Sequence, residues 1–252
     1  VTVSTDYELS AREFDFLWEH LELGRLPYPL DVPSNGATLE ERAELRAETM
    51  AALRFDSRIT DLLRVLAAPK VSVDTVGFGD GPIRGLAATD GNLGTLVAID
   101  GGTLSFAAIR PTSLSRSIVE VLPSGESGPG HAISVPHQAM QRAVNGEDDD
   151  PFGDGDEREI LMSNGVSGED ATMLVELADR RVRGGQFGVT TSSRATSVRA
   201  GARIRAKTMI TWFDTAEGRY LMVHDGTWIS VAPADAGRIA HRIDELLRTA
   251  GT

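Results

Sequence analysis

The sequence predicts an α+β fold made of a duplicated unit, its two halves sharing one sheet. Three observations lead there. The 252-residue chain opens with apolar residues at helical spacing and changes near residue 70 to short strand-like runs separated by turn signals. The same succession of helices, a four-strand meander and a helix then comes round again. Residues 96–122 also lie on 221–247 without a gap at a shift of 125 residues, with eight identities: Leu96/Leu221, Asp100/Asp225, Gly101/Gly226, Ser105/Ser230, Ala107/Ala232, Ile118/Ile243, Glu120/Glu245 and Leu122/Leu247.

Each element has a local reason. Ser10 and Glu13 form a capping box, Leu9 can staple to Phe14, and Phe14, Leu17, Trp18 and Leu21 mark one helical face that ends at Gly24. The stretch "LPYPLDVPSNG", stiffened by Pro27, Pro29 and Pro33, carries the chain across a surface. Thr38 and Glu41 make a second capping box, opening a helix to about Phe55. Ile59, Leu62, Leu63 and Leu66 share a face of a third helix, stopped by Pro69. Four strands follow, "VSVDTVGF", "IRGLAAT", "LGTLVAID" and "TLSFAAIR", punctuated by "GDGP", "DGN" and "DGG". A helix from about Pro111 to Leu122 closes this half. The linker "PSGESGPG" leads to "HAISVP" and a helix around Gln138 to Val144. A helix in "SGEDATMLVELADRRV", the strands "GQFGVTTSS", "TMITWFD", "RYLMVHD" and "TWISVA", and a helix from about Pro233 to Arg248 complete the chain.

Composition bounds the function. With 41% hydrophobic and 25% charged residues, the chain suits one domain over 1–252 with pseudo-repeat halves at about 1–125 and 126–252. The absence of cysteine excludes disulfides and thiolate chemistry. Apolar runs are too short to cross a bilayer, and the first ten residues lack a basic n-region and an apolar h-region, so a cytoplasmic location is expected. The net charge of −12 repels polyanions. Charge is uneven, however: residues 147–159 hold eight acids against Arg158 alone, and residues 180–207 hold eight basic residues and no acid. The second tract, with Phe187 for stacking, supports the alternative reading, a nucleic-acid-associated protein.

Several motifs come close to a chemistry and miss. Gly201 to Thr208 fits a phosphate-binding loop except for Ala206, whose Cβ stands where bare backbone is needed. It leads into the strand-like "MITWF" rather than a helix, and nothing before it reads as a feeding strand. "DTAEG" has its glycine four residues after Asp214, one too many for a DxxG turn, and reads as a hairpin turn. An EF-hand counted from Asp148 would place Phe152 and Gly155 at positions needing an oxygen ligand and an aliphatic residue. The histidines His20, His131, His137, His224 and His241 lack metal-site spacing, and no G-x-S-x-G elbow occurs. The expectation is no catalytic residue, no cofactor, no metal and no enzyme; residues 147–157 form an acidic loop without tight calcium binding.

"LWEHLELGRLPYPLDVPSNGATLEER", "GQFGVTTSSR" and "TWFDTAEGRYLMVHDGTWISVAPADAGRIAHRIDELL" together resemble the EspG family of type VII (ESX) secretion chaperones. The resemblance implies an EspG-like fold with pseudo-twofold halves and a central, mainly antiparallel sheet flanked by helices. It also implies a task, binding the apolar tip of a PPE-like protein within a PE–PPE heterodimer, keeping it soluble and directing it to export. An exposed apolar patch of that kind aggregates unless covered. The expected partner is thus the PPE-like subunit, with no nucleic acid and no membrane insertion, the chain alone being a monomer or weak dimer. Alternation in "GQFGVTTSSR" sends Phe187, Val189 and Thr191 toward a core. It leaves Gln186, Gly188, Thr190, Ser192 and Arg194 on a small, polar face that could receive the partner.

Overall fold

The computed structural model describes residues 5–145, 157–192 and 202–250. In chain order the elements are β1 (Tyr7–Ser10), α1 (Ala11–His20), α2 (Leu39–Ala52), α3 (Ser57–Ala67), β2 (Val71–Phe78), β3 (Pro82–Thr89), β4 (Gly94–Asp100), β5 (Thr103–Ile109) and α4 (Leu114–Val119). They continue with β6 (Ile133–Pro136), α5 (His137–Asn145), α6 (Glu157–Ser163), α7 (Gly168–Asp179), β7 (Arg183–Ser192), β8 (Arg203–Arg205), β9 (Met209–Thr215), β10 (Gly218–His224), β11 (Trp228–Pro233) and α8 (Ala236–Ala250). This is a mixed helix-and-sheet fold with a large antiparallel sheet.

The chain forms two compact units, Val1–Pro123 with Phe187–Ala206 and Ile243–Thr252, and Ser124–Gln186 with Lys207–Arg242. In the first, strands run β1-β5-β4-β3-β2 and on to the C-terminal half of β7, to which β8 also pairs. Its core joins Phe14, Leu17 and Trp18 of α1, Ile59, Leu62, Leu63 and Leu66 of α3, and Leu86, Val97, Leu104 and Phe106 of the sheet. The second unit runs from the N-terminal half of β7 through β9, β10 and β11 to β6. Its core packs Ile160 and Leu161 of α6 and Leu174 and Leu177 of α7 against Phe213, Tyr220, Ile229 and Val231.

The local signals behave as their chemistry requires. Ser10 Oγ accepts from the Glu13 amide at 3.2 Å while the Ser10 amide donates to the Glu13 carboxylate at 2.7 Å, completing the capping box. Thr38 caps α2 in the same way, but the Glu41 carboxylate takes the Ala37 amide instead. Four elements were not anticipated. β1, β6 and β8 are three or four residues long, too short to show alternation, and α6 is a seven-residue helix. The expected helix from Pro111 is a 3-10 turn followed by α4, which ends at Val119. The last helix starts at Ala236, because Pro233 still pairs with Tyr220 in the sheet and Asp235 accepts the Arg238 amide at 2.7 Å.

The residues read as a linker are tied down. The Arg219 amide donates to Glu126 O at 2.7 Å, Gly128 returns a bond to Arg219 O at 3.0 Å, and the Tyr220 hydroxyl donates to Pro129 O at 3.0 Å. A Cβ at Gly128 would run into the Tyr220 ring, so glycine lets the backbone lie against it.

Beneath this segment Asp214 meets two arginines. Arg219 bonds it through Nε at 2.7 Å and Nη2 at 2.9 Å, and Arg183 Nε at 2.6 Å. Arg219 also lies 4.9 Å from the centre of the Trp212 ring. Burial alone would raise the Asp214 carboxyl, but Arg219 and Arg183 outweigh it and hold it below the ordinary range. A carboxylate lowered on folding stabilises the fold above its unfolded pKa, and that contribution is lost as pH falls through the folded value. Asp214→Ala should therefore cost about 3–5 kcal/mol in urea unfolding at pH 7, because it removes a hydrogen-bonded carboxylate from the buried Arg219. The deficit should shrink in acid; an equal deficit at every pH would contradict the pairing.

Candidate partner-binding surface

The helix layer of the first unit covers only part of its sheet. α1 and α3 lie against β3, β4 and β5. Cross-strand pairing sets Ser72, Asp74 and Val76 of β2 opposite Ala88, Leu86 and Arg84 of β3, on this same face, since Leu86 and Ala88 belong to the helix-side core. β2 thus places two polar residues, Ser72 and Asp74, on the helix side of the sheet.

β7 extends that row. Phe187 and Val189 are 2% and 0% exposed, and Thr191 is half-buried with its hydroxyl directed at Ala250 O, 3.4 Å away. The alternate residues take the other side: Gln186 is exposed, Thr190 and Ser192 are half-buried, and Gly188 is buried. Arg194 lies outside the described residues. Ser192 is a structural anchor, its hydroxyl donating to Pro69 O at 2.7 Å and its amide to Lys70 O at 2.8 Å.

Gly188 is buried because Arg205 lies on it. A Cβ there would overlap the Arg205 guanidinium. β8 pairs Arg205 with Thr190, and the guanidinium forks onto Asp74, Nη1 to Oδ2 at 2.8 Å and Nη2 to Oδ1 at 3.0 Å. The Tyr28 ring centre lies 5.7 Å from the same guanidinium. Arg203 reaches Ser72 Oγ at 3.4 Å. Burial pushes the Asp74 carboxyl above its ordinary value in spite of Arg205, and hydrogen bonding to Asp74 raises Arg205.

Beside this row is a cleft of about 1040 Å³ walled by the proline-rich residues 25–31 and floored by Val76 and Gly77. Tyr28 is 61% exposed at its rim, and Arg25, Arg84 and Arg203 line it. Sequence reasoning isolated the β7 face by its alternation but not Asp74, Arg205 or this cleft.

The near-motifs lose their chemistry. β8 does precede Lys207, contrary to expectation, but the chain continues into β9 and not a helix, so no helix N-terminus faces a phosphate. Lys207 is exposed, and Asp214, the first residue of "DTAEG", is the ion-pair centre already described. "DTAEG" turns tightly between β9 and β10 as expected. Within the basic tract, Arg180 pairs with Glu176 and Glu217, Arg183 with Asp214, and Arg205 with Asp74. Those three arginines are engaged within the fold, which removes much of the support for nucleic-acid binding. His131 bonds Asp170 at 2.9 Å, and the His137 and His224 rings lie 4.1 Å apart. Among the described residues no cluster of three His, Asp or Glu is placed to hold a metal ion, and no helix is long and apolar enough to cross a membrane. The acidic loop 147–157, apart from Glu157 at the start of α6, lies outside the described residues.

The sequence profile of the EspG family matches residues 10–245. The chain belongs to the EspG family. Among solved structures it resembles the Mycobacterium tuberculosis type VII secretion system chaperone EspG5, determined in complex with a PE25–PPE41 dimer. The two share 15% identity and a TM-score of 0.71 over 96% of each chain, a likeness of fold. The chain matches none of the curated proteins.

Arg205→Ala should cost about 1–2 kcal/mol at neutral pH, less than a fully buried pair because Arg205 is half exposed. Without Arg205 the Asp74 carboxyl rises further. A carboxyl raised on folding favours the native state when protonated and opposes it as pH rises through the folded value. The deficit should therefore be larger near pH 8 than near pH 5 in chemical denaturation; the opposite slope would contradict the pairing.

Proposed function

We propose that this EspG-family chain is a cytoplasmic chaperone that binds a PE–PPE-like heterodimer through the apolar tip of its PPE-like subunit, keeps it soluble and directs it to type VII secretion. The observation that carries the reading is the family match over residues 10–245, together with EspG5 having been determined bound to a PE–PPE dimer. The docking face is the polar row of β7, with Gln186, Gly188, Thr190 and Ser192; Arg194, also expected to bind the partner, lies outside the described residues. Gly188 acts there by admitting Arg205, and Ser192 by holding the strand to residues 69–70. Such a face offers hydrogen bonds around an apolar tip without an adhesive patch of its own. The role is one of binding, with no catalytic step.

We also infer that the chain is a single domain made by duplication, with halves at about 1–125 and 126–252. Two meanders share one register: Ile99 pairs with Arg84 and Leu104, and His224, 125 residues on, with Met209 and Ile229. The element order β-α-α-α before each meander is also the same.

Co-expression with a PE–PPE-like pair encoded nearby should give a stable ternary peak in size-exclusion chromatography; separate elution would overturn the reading. Thr190→Glu should reduce capture by about tenfold while leaving the melting temperature nearly unchanged, as a charge on a half-exposed docking residue does. Undiminished capture would move the docking face elsewhere. Lys207→Ala should capture as well as the unchanged chain, with no ATP or GTP binding in calorimetry.

A further inference from the structure

Resting on the chaperone reading, we propose that the cleft between residues 25–31 and the β2–β3 hairpin receives an extended acidic segment of the client. The cleft carries three guanidinium groups, from Arg25, Arg84 and Arg203, against one carboxylate, Asp31. That local excess stands in a chain whose net charge is −12. None of the three is held firmly. Arg25 makes no hydrogen bond or ion pair among the described residues, Arg203 makes a long bond of 3.4 Å to Ser72, and Arg84 lies 3.5 Å from an Asp31 side chain that is 85% exposed. Arg205, next to them, is by contrast engaged with Asp74.

The shape favours a polypeptide. The cleft is open and about 1040 Å³ in volume, and Pro27 and Pro29 stiffen its wall. Tyr28 and Leu26 supply apolar surface between the charges. In an extended segment alternate side chains point one way, so carboxylates at every second position can face the arginines while small apolar residues meet the wall. Guanidinium forks match carboxylates in two-bond geometry. A nucleic acid would instead have to bring a continuous polyanion against the negative remainder of the molecule. The segment would sit beside the β7 face, adding charge selection to a surface that otherwise offers hydrogen bonds.

Fluorescence anisotropy of the full chain with a short labelled peptide alternating Glu with Ala, and with its Gln counterpart, tests the cleft without any client. The Glu peptide should bind, weakening at least about tenfold between about 50 and about 500 mM salt, and the Gln peptide should not. Arg25→Gln/Arg84→Gln/Arg203→Gln should abolish binding with an unchanged melting temperature, whereas Arg12→Gln on α1 should have no effect. Asp31→Ala should strengthen binding about threefold by unmasking Arg84, a gain that a structural role would not produce. Equal binding of both peptides, binding that survives the triple change, or tighter binding of a short single-stranded oligonucleotide through the same arginines would overturn the proposal. With the client, the triple variant should dissociate faster and lose salt dependence. Failure of the unchanged chain to capture any client would sink the chaperone reading while leaving the peptide result to stand or fall on its own.

Discussion

Asp74 is a carboxylate 3% exposed in the middle of a strand, and the face around it is organised by the need to meet its charge. Arg205 meets it from β8, so the chain has to fold back along the end of β7 after residue 202. Its guanidinium needs room on β7, so position 188 has no side chain. With the charge satisfied by hydrogen bonds, this part of the sheet can stay polar while α1 and α3 cover β3, β4 and β5. The result is a face with an ordered polar surface, bordered by a cleft that holds further arginines.

Under the proposed duplication, the two meanders differ in two places. Thr89 pairs with Gly94 beside the β3–β4 turn, and the positions 125 residues on hold Asp214 opposite Arg219 beside the β9–β10 turn. Where the first meander has a plain strand end, the second has a buried ion pair whose arginines also bond residues 124–128. The larger difference follows the first strand of each meander. β2 and β3 are joined by three residues, whereas sixteen separate β7 from β9, β8 among them. That longer connection supplies both Arg203 and Arg205. The candidate surface thus depends on a connection that the β2–β5 meander lacks.

Much of the frame was legible because its causes are local. Capping boxes, turn residues and alternation act over a few positions, and they located α1, the β2–β5 meander and the inward side of β7. The site was less legible because its chemistry is distributed. "VSVDTVGF" shows an acid inside a strand, but its partner is 131 residues away in a stretch that reads as a basic loop. Arg25, Arg84 and Arg203 share no sequence neighbourhood, and only the fold gathers them. "PSGESGPG" has linker composition, and its attachment depends on Arg183, Arg219 and Tyr220, which no local pattern connects to it.

We propose that the client covers the face framed by β7 and residues 25–31. The chain has no cysteine, so a single introduced thiol reports on one place without background. Maleimide labelling rates of Thr190→Cys, Tyr28→Cys and, as an exposed control on α2, Glu48→Cys should be compared with and without the bound PE–PPE-like pair. Labelling should slow by about tenfold or more at positions 190 and 28 and stay unchanged at 48, as burial of a thiol under a partner requires. Unchanged rates at 190 and 28 in a complex that is demonstrably formed would place the client on another surface and contradict docking at β7 and residues 25–31.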